Sequence, residues 1–304
     1  MNGETVKYIF EHPERLFSML GSKGLLNWIP DELYIRIQFR LAMGVWPDLK
    51  DPKTFNEKLQ WLKLHDRNPL YTTLVDKYAV RRYIAEKIGE EYLIPLVGGP
   101  WDRAEEIDFD ALPEQFVLKC NHDSGGVVVC RDKSSLNIEK TKKFLNRRLR
   151  KNFYYANREW PYKNVKPCII AEKYIEDVPG EELPDFKYMV FNGKFRCSFV
   201  CSERRAKSGL HVTFFDEEWR VMPFKRHYPT SEIEIKKPKC YKKMTELSEK
   251  ICTDINFARI DFYEINGKIY FGEITLFPGN GNEEFDPPEW DEKIGAWLEL
   301  PSKE

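Results

Sequence analysis

The fold turns on one stretch near the C-terminus, Arg259-Ile-Asp261-Phe-Tyr-Glu-Ile-Asn-Gly-Lys-Ile-Tyr-Phe-Gly-Glu273-Ile-Thr275. Two runs rich in β-branched and aromatic residues flank Asn266-Gly267, a hairpin turn signal. Side chains alternate faces along a strand. Arg259, Asp261, Tyr263 and Ile265 therefore share one face of the first strand, and Ile269, Phe271, Glu273 and Thr275 one face of the second. A three-residue loop, Asn266 to Lys268, pairs Ile265 with Ile269, Tyr263 with Phe271, and Asp261 with Glu273. Two carboxylates then oppose each other above an apolar base, where like charges repel. A divalent cation between them removes the repulsion, and hard oxygen donors suit Mg²⁺ beside phosphates. A two-residue loop would put the carboxylates on opposite faces. The plainer alternative is a solvated hairpin face on which Arg259 pairs with Asp261.

Working outward, 304 residues suffice for a real core and about two domains. Charged residues make up 32% and mean hydropathy is −0.57, the profile of a soluble protein. A formal net charge of −1 argues against a dedicated nucleic-acid binder, which carries a basic excess. Seven cysteines without a CxxC pair suit a reduced, cytosolic compartment. The first residues lack the apolar core of a signal peptide. No uncharged run approaches the ~20 residues of a spanning helix, so any membrane contact is expected to be peripheral.

Residues 1 to about 70 read as mainly helical. Leu33, Ile35, Ile37, Phe39 and Leu41 fit helix or strand by period, with helix preferred after Asp31-Glu32. Thr54 and Glu57 have capping-box spacing at the head of another helix. Asp76 to Ile88 reads as a basic amphipathic helix, and Tyr92 to Val97 as a short strand. Gln115 to Lys119, Val127 to Cys130 and Cys168 to Ile175 read as strands, with a Lys- and Arg-rich helix over Asn137 to Lys151. Phe186 to Val200 reads as a hairpin around Asn192-Gly193. His211 to Phe215 with Glu218 to Pro223 suggests another, and Pro238 to Ile255 a helix. Mixed helices and hairpins indicate an α+β fold.

Several constellations bear chemistry. Lys119 ends a strand, and Asn121-His-Asp-Ser124-Gly125-Gly126 leads into the next. Glycines let backbone amides approach an anion and lysine adds a point charge, as a flap over phosphates requires. An ordinary turn with an exposed lysine is the alternative. Lys77 begins a basic helix with Arg81 and Arg82, which reads equally as a solvated face. Glu172, Lys173, Tyr174 and Ile175 close an apolar strand where a hinge between lobes would suit adenine. Asp185 and Lys187 share a strand face, fit for ribose hydroxyls and for phosphate or substrate, or simply for a salt bridge. Pro278-Gly-Asn-Gly281 is an exit loop or an amide nest for an acceptor carboxylate. Asp108-Phe-Asp110 has the D-x-D form of metal-dependent glycosyltransferases but sits in a turn-like context. His122 and His211 have no Ser or Cys partner.

Read in order, these motifs resemble an ATP-grasp enzyme. Ala258-Arg-Ile-Asp-Phe through Glu273-Ile-Thr-Leu-Phe-Pro-Gly is similar to the metal hairpin of D-alanine–D-alanine ligase and biotin carboxylase. Phe55-Asn-Glu-Lys-Leu-Gln-Trp-Leu-Lys, Val75-Asp-Lys-Tyr-Ala-Val-Arg and Val117-Leu-Lys-Cys-Asn-His-Asp-Ser-Gly resemble the TupA-like ATP-grasp family. That family is named for teichuronopeptide biosynthesis and is associated with bacterial surface polysaccharides. The resemblance runs from about Pro52 to Pro278. It implies an N-terminal helical segment over 1–70, a first ATP-grasp part with a mobile lid over 71–172, and a catalytic part over 173–304 with an antiparallel sheet. Lys77 and Lys119 with the Ser124–Gly126 flap would hold ATP phosphates. Glu172 to Ile175 would line adenine, and Asp185 would contact ribose. Asp261 and Glu273 would hold Mg²⁺, with Thr275 where many ATP-grasp ligases carry Asn; Asn280 or Asn282 would compensate, or a second metal would be held more loosely. Arg259 would steady the transferring phosphoryl group, and Lys187 would reach phosphate or substrate.

The implied activity is ATP-dependent carboxylate–amine ligation through an acylphosphate, on a sugar acid or other acidic acceptor and an amine or amino acid. Arg147, Arg148, Arg150 and Lys151, and Arg204, Arg205, Lys207, Lys225 and Arg226, offer local cations for an anionic acceptor, or ordinary solvated faces. A sugar kinase on the same fold, a glycosyltransferase, and a non-catalytic nucleotide- or glycan-binding module are the alternatives.

Overall fold

Runs rich in Val, Ile, Phe and Tyr build two antiparallel sheets in the computed structural model, which describes residues 12–176, 183–204 and 209–302. Arg205 and Lys207 of the second basic stretch and residues 1–11 lie outside the described residues. The first sheet holds β1 (Leu96–Trp101), β2 (Phe116–Cys120), β3 (Val127–Cys130) and β4 (Ile169–Lys173), ordered β1-β4-β2-β3. The second holds β5 (Asp185–Phe191), β6 (Lys194–Ser202), β7 (His211–Phe215), β9 (Phe257–Ile265) and β10 (Lys268–Thr275), ordered β10-β9-β5-β6-β7. A short ribbon pairs β8 (Lys225–Arg226) with β11 (Phe285–Asp286). The α+β architecture matches the expectation from mixed helices and hairpins.

Each sheet has its own core. Phe116, Leu118, Ile169 and Ala171 of the first pack with Leu145 of the Ile138–Leu149 helix. The second sheet shares a larger core with the N-terminal region, where Phe55, Leu59 and Leu62 join Phe191, Phe257 and Leu298. The expected capping box is present: Glu57 N donates to Thr54 Oγ1 at 3.2 Å, and Thr54 N to Glu57 Oε2 at 3.1 Å. The Asp31–Met43 segment is a helix, as preferred, and stops at Gly44 with φ 73°.

Three elements differ from their sequence reading. The helix expected from Asp76 starts at Val80, because the Asp76 carboxylate accepts from Tyr78 N and Ala79 N and forms a turn first. The strand expected at Tyr92–Val97 runs instead over Leu96–Trp101, through Gly98 and Gly99. A Cβ at Gly99 would lie 2.8 Å from Ile169 O, so only glycine admits this close approach to β4. The segment 218–223 forms no strand. Asp216 ties down Glu218 N and Arg220 N, leaving a single bridge from Phe215 to Val221.

The Phe55–His65 helix carries a buried polar stripe at i, i+4 and i+7: Asn56, Gln60 and Lys63, none more than 1% exposed. All three reach the segment after the C-terminal hairpin. Asn56 Nδ2 donates to Glu283 O (2.8 Å), Gln60 Nε2 to Asn280 O (2.9 Å) and Gly281 O (2.8 Å), and Lys63 Nζ to Asn280 O (2.8 Å). Those carbonyls are turned inward by left-handed backbone at Gly279, Asn280 and Gly281. Burial lowers the Lys63 ammonium to about 7, opposed by Glu159, and raises the Glu159 carboxyl to about 7, opposed by Lys63. Among the described residues no helix is long and apolar enough to cross a membrane.

Removing one member of this pair strands the other in the core. Lys63→Met should cost about 3–5 kcal/mol, and adding Glu159→Gln should recover a large part of it. Urea unfolding of the two single variants and the double variant measures the coupling; additive losses would show that the pair does not interact.

Candidate active site

The C-terminal hairpin brings its carboxylates together by a route the loop count does not predict. Its turn has two residues, Asn266 and Gly267, both at positive φ (51° and 77°), and Lys268 pairs with Ile265. That register alone would turn Glu273 away from Asp261. Tyr270 pairs with Tyr263 and Phe271 with Phe262; then the ladder slips, and Glu273 pairs with Asp261. The extra residue is Gly272, a β-bulge. A three-residue loop was the wrong source of the offset, and the apolar base differs too. Ile269 and Phe271 are buried in the core with Phe262, while Tyr270 lies across from Tyr263. The bulge sits against its partner strand: a Cβ at Gly272 would lie 3.0 Å from Asp261 O.

The sheet extends the charged row. Lys187 of β5 pairs with Asp261, so Lys187, Asp261 and Glu273 cross three adjacent strands. Arg259 Nε is 2.6 Å from Asp261 Oδ1, and Nη2 is 2.8 Å from Asp261 Oδ2 and 3.1 Å from Glu273 Oε1. Lys187 Nζ hydrogen-bonds Asp261 Oδ2 and lies 2.5 Å from Asp185 Oδ2. Arg204 Nη2 meets Asp185 at 3.2 Å, and Asp185 Oδ1 is buried without a hydrogen-bond partner. Thr275 Oγ1 lies 3.4 Å from Glu273 Oε1. Burial pushes the Asp261 carboxyl up, opposed by Arg259 and Lys187. Enclosure also works against the Glu273 charge, but Lys77, Arg259, Lys187 and Lys119 outweigh it and hold that carboxyl down at about 2.

Asp261 and Glu273 of this row form part of one wall of a cleft of about 500 Å³ between the two sheets. Lys77, Lys119, Glu172, Lys173, Tyr174, Ile175, Asp185, Asp261 and Glu273, all picked from the sequence, line it together. Lys119 Nζ is 2.5 Å from Glu172 Oε2, and Lys77 Nζ donates to Asp123 O at 2.8 Å and lies 3.8 Å from Glu273. Val127 and Val129 of β3, 40% and 51% exposed, give the cleft an apolar flank. Ser124, Gly125 and Gly126 do not line it. Their turn is held from behind, with Arg148 Nε at 2.5 Å from Asp123 Oδ2 and Arg148 Nη2 donating to Ser124 O at 2.5 Å. Arg148 of the basic helix therefore ties down this turn and is not part of a solvated face. Arg259 and Lys187 line a second cavity of about 130 Å³ beyond the carboxylates.

Sequence reading gave no site role to Arg81, Arg131 or Tyr263. Arg81 donates to Ile94 O (2.8 Å) and reaches Glu172 (3.4 Å). Arg131 donates to Tyr174 Oη at 2.9 Å and fixes that ring at the cleft rim. Tyr263 was the one of the three with a legible signal, since it alternates with Asp261 on the same strand face. Asp108-Phe-Asp110 is an Asx turn, with Asp108 accepting from Asp110 N and Ala111 N. None of the seven cysteines is in a disulfide.

Comparison with known proteins yields a family model, TupA-like ATPgrasp, matched over residues 57–299. No curated protein is matched by sequence. Among solved structures, D-alanine–D-alanine ligase from Bacillus anthracis complexed with ATP is 18% identical, with a TM-score of 0.41, covering 67% of this chain and 55% of that one. An ADP complex of N5-carboxyaminoimidazole ribonucleotide synthetase is 15% identical, with a TM-score of 0.43, covering 79% and 56%. The ATP-grasp ligase PsnB complexed with minimal precursor is 9% identical, with a TM-score of 0.39, covering 68% and 54%. The chain spans about half the length of these structures.

The bulge makes a specific prediction. Gly272→Val forces a side chain against Asp261 and Tyr263 and should destabilise the protein by about 1–3 kcal/mol. Deleting Gly272 leaves Glu273 next in line to face Asp261 and should cost less than the valine. Urea unfolding ranks the two variants; the reverse order would show that the bulge, and not crowding, holds the hairpin.

Proposed function

The chain belongs to the TupA-like ATP-grasp family, and on that premise we propose that it is an ATP-dependent, ADP-forming carboxylate–amine ligase. The observation that carries this reading is the pairing of Asp261 with Glu273 in a cleft wall faced by Lys77 and Lys119. Two neighbouring carboxylates and two lysines suit a metal-bound triphosphate. Ile175, Val127 and Val129 supply the apolar flank for adenine, alongside Glu172, Lys173 and Tyr174. The unpartnered Asp185 Oδ1 is available to a ribose hydroxyl. Ser124 to Gly126 stand outside the cleft lining, so Lys77 and Lys119 carry the phosphate contacts in this reading.

The donor set fits Mg²⁺. Asp261 and Glu273 are close enough to share one Arg259 nitrogen, and the Thr275 hydroxyl adjoins Glu273. Among the described residues no third His, Cys, Asp or Glu joins them, so phosphate oxygens and water would supply the other donors. When bound, the ion neutralises charge on the transferring group.

The chain's own residues do the rest. Lys77 and Lys119 hold the phosphates in place, and Arg259 and Lys187 offset the charge of the phosphoryl group as it moves. A substrate carboxylate oxygen bonds to the γ-phosphorus as the bond to the bridging oxygen breaks, releasing ADP and leaving an acylphosphate. An amine nitrogen then bonds to the acyl carbon, the bond to the phosphate oxygen breaks, and the amine proton passes to solvent. No protein nucleophile is needed, in keeping with the absence of a Ser–His or Cys–His set among the described residues. We assign the acceptor to the sugar acids, the amine to the amino acids, and the setting to surface-polysaccharide assembly on the cytosolic side.

Glu273→Gln is the cleaner test, because Asp261→Asn would strand Lys187 and Arg259 in a buried site. Glu273→Gln should lower ADP formation by about 10²-fold or more while retaining the wild-type melting temperature. ADP and phosphate release are measured with Mg·ATP, uronic acids and amino acids. Wild-type turnover in the variant would defeat the assignment, and ADP formed without free phosphate would indicate a kinase.

A further inference from the structure

The second cavity has the chemistry of an anion subsite. Its volume is about 130 Å³, room for roughly four waters at ~30 Å³ each. Three cations line it, Lys187, Arg259 and Arg226, against one acid, Glu283. Phe199, Val212 and Phe214 form its apolar side. Lys187 and Arg259 are held by Asp185 and Asp261 from the nucleotide side. Arg226 is different. It is 3% exposed, its Nη2 donates to Pro278 O at 3.1 Å, and its guanidinium lies 5.3 Å and 5.4 Å from the ring centres of Phe55 and Phe285. Its Nε has no hydrogen-bond partner, and the nearest carboxylate oxygen, on Glu283, is 3.5 Å away. A buried guanidinium with an unsatisfied donor at a cavity wall calls for an acceptor.

Resting on the ligase reading above, we propose that this cavity seats the carboxylate end of the acceptor, with Arg226 as the residue that selects an anion there. A guanidinium fork matches a carboxylate better than any other side chain does. The Lys187–Asp261–Arg259 ion pairs link its wall to that of the cleft. On the ligase reading, a carboxylate held against Arg226 and Arg259 would approach the metal carboxylates from the side away from Val127, Val129 and Ile175. The size admits the carboxylate end of an amino acid or of a uronic acid, the latter with its ring against Phe199 and Phe214. It excludes a polymer chain, which would have to extend outward.

The test uses full-length protein loaded with Mg·AMP-PNP and titrated calorimetrically with D-glucuronate, L-glutamate and the neutral methyl ester of glucuronate. The proposal expects saturable binding of at least one carboxylate, and tenfold or weaker binding of the ester when glucuronate is the one that binds. Arg226→Gln should weaken the carboxylate at least tenfold while leaving Mg·AMP-PNP affinity within twofold of wild type. Because Arg226 is buried, Val212→Phe serves as the second variant: it fills the cavity from β7 without altering a charge and should give the same split. Which acid binds distinguishes a sugar-acid from an amino-acid acceptor. Carboxylate binding unchanged in both variants, or absent from nucleotide-loaded wild type, overturns the subsite alone. Failure of wild type to take up Mg·AMP-PNP overturns the ligase reading beneath it.

Discussion

One extra residue in β10 decides which side of the hairpin is charged. The Asn266-Gly267 turn sets a register in which Glu273 would enter the core opposite Ile260. An unpaired carboxylate there would cost several kcal/mol of desolvation. Gly272 absorbs the offset. Beyond it, Glu273 and Thr275 join the face of Asp261 and Arg259, while Ile274 takes the core position. The strand keeps an apolar side throughout, so the bulge is compatible with packing and changes only the aim of the polar residues.

Once Glu273 and Asp261 are neighbours, their charges need partners, and the second sheet supplies them. Lys187 comes from β5 directly across from Asp261, and Arg259 from two residues back on the same strand. Asp261 and Glu273 are thus each held by cations from the same sheet. On the proposed reading, a metal ion and phosphates would displace or share those partners. Buried ion pairs of this kind add little net stability, because desolvation offsets their attraction. Their persistence in a strand interior is easier to explain by chemistry than by folding.

What the sequence made legible follows from periodicity and turn chemistry. The Asn-Gly turn, the strand alternation and the Thr54–Glu57 cap are local signals, and each appears in the fold. Residues chosen by their place at strand ends, such as Lys119 and Glu172, meet in one cleft because β2 and β4 are neighbours. Loop length was misread because a glycine in a strand can be either a weak strand residue or a bulge, and local sequence does not separate them. Arg226 looked like one member of a basic stretch. Nothing local reveals that it is buried between Phe55 and Phe285, residues far from it in sequence. Arg148 was misjudged for the same reason, since its partner Asp123 lies 25 positions away.

The Asn56–Gln60–Lys63 stripe ties these pieces together. A helix that buries three polar side chains toward one loop gains little from hydrophobic packing on that face. It instead fixes the backbone of residues 280–283, where Gly279, Asn280 and Gly281 hold left-handed conformations. That backbone leads directly from the carboxylate strand β10, and its Pro278, Gly279 and Glu283 line the second cavity beside Arg226. The Phe55–His65 helix thus braces that wall of the anion pocket, and the motif that resembles the family at Phe55–Lys63 acquires a physical reason. It sets the distance between the pocket's acid, Glu283, and the arginine whose donor is left open.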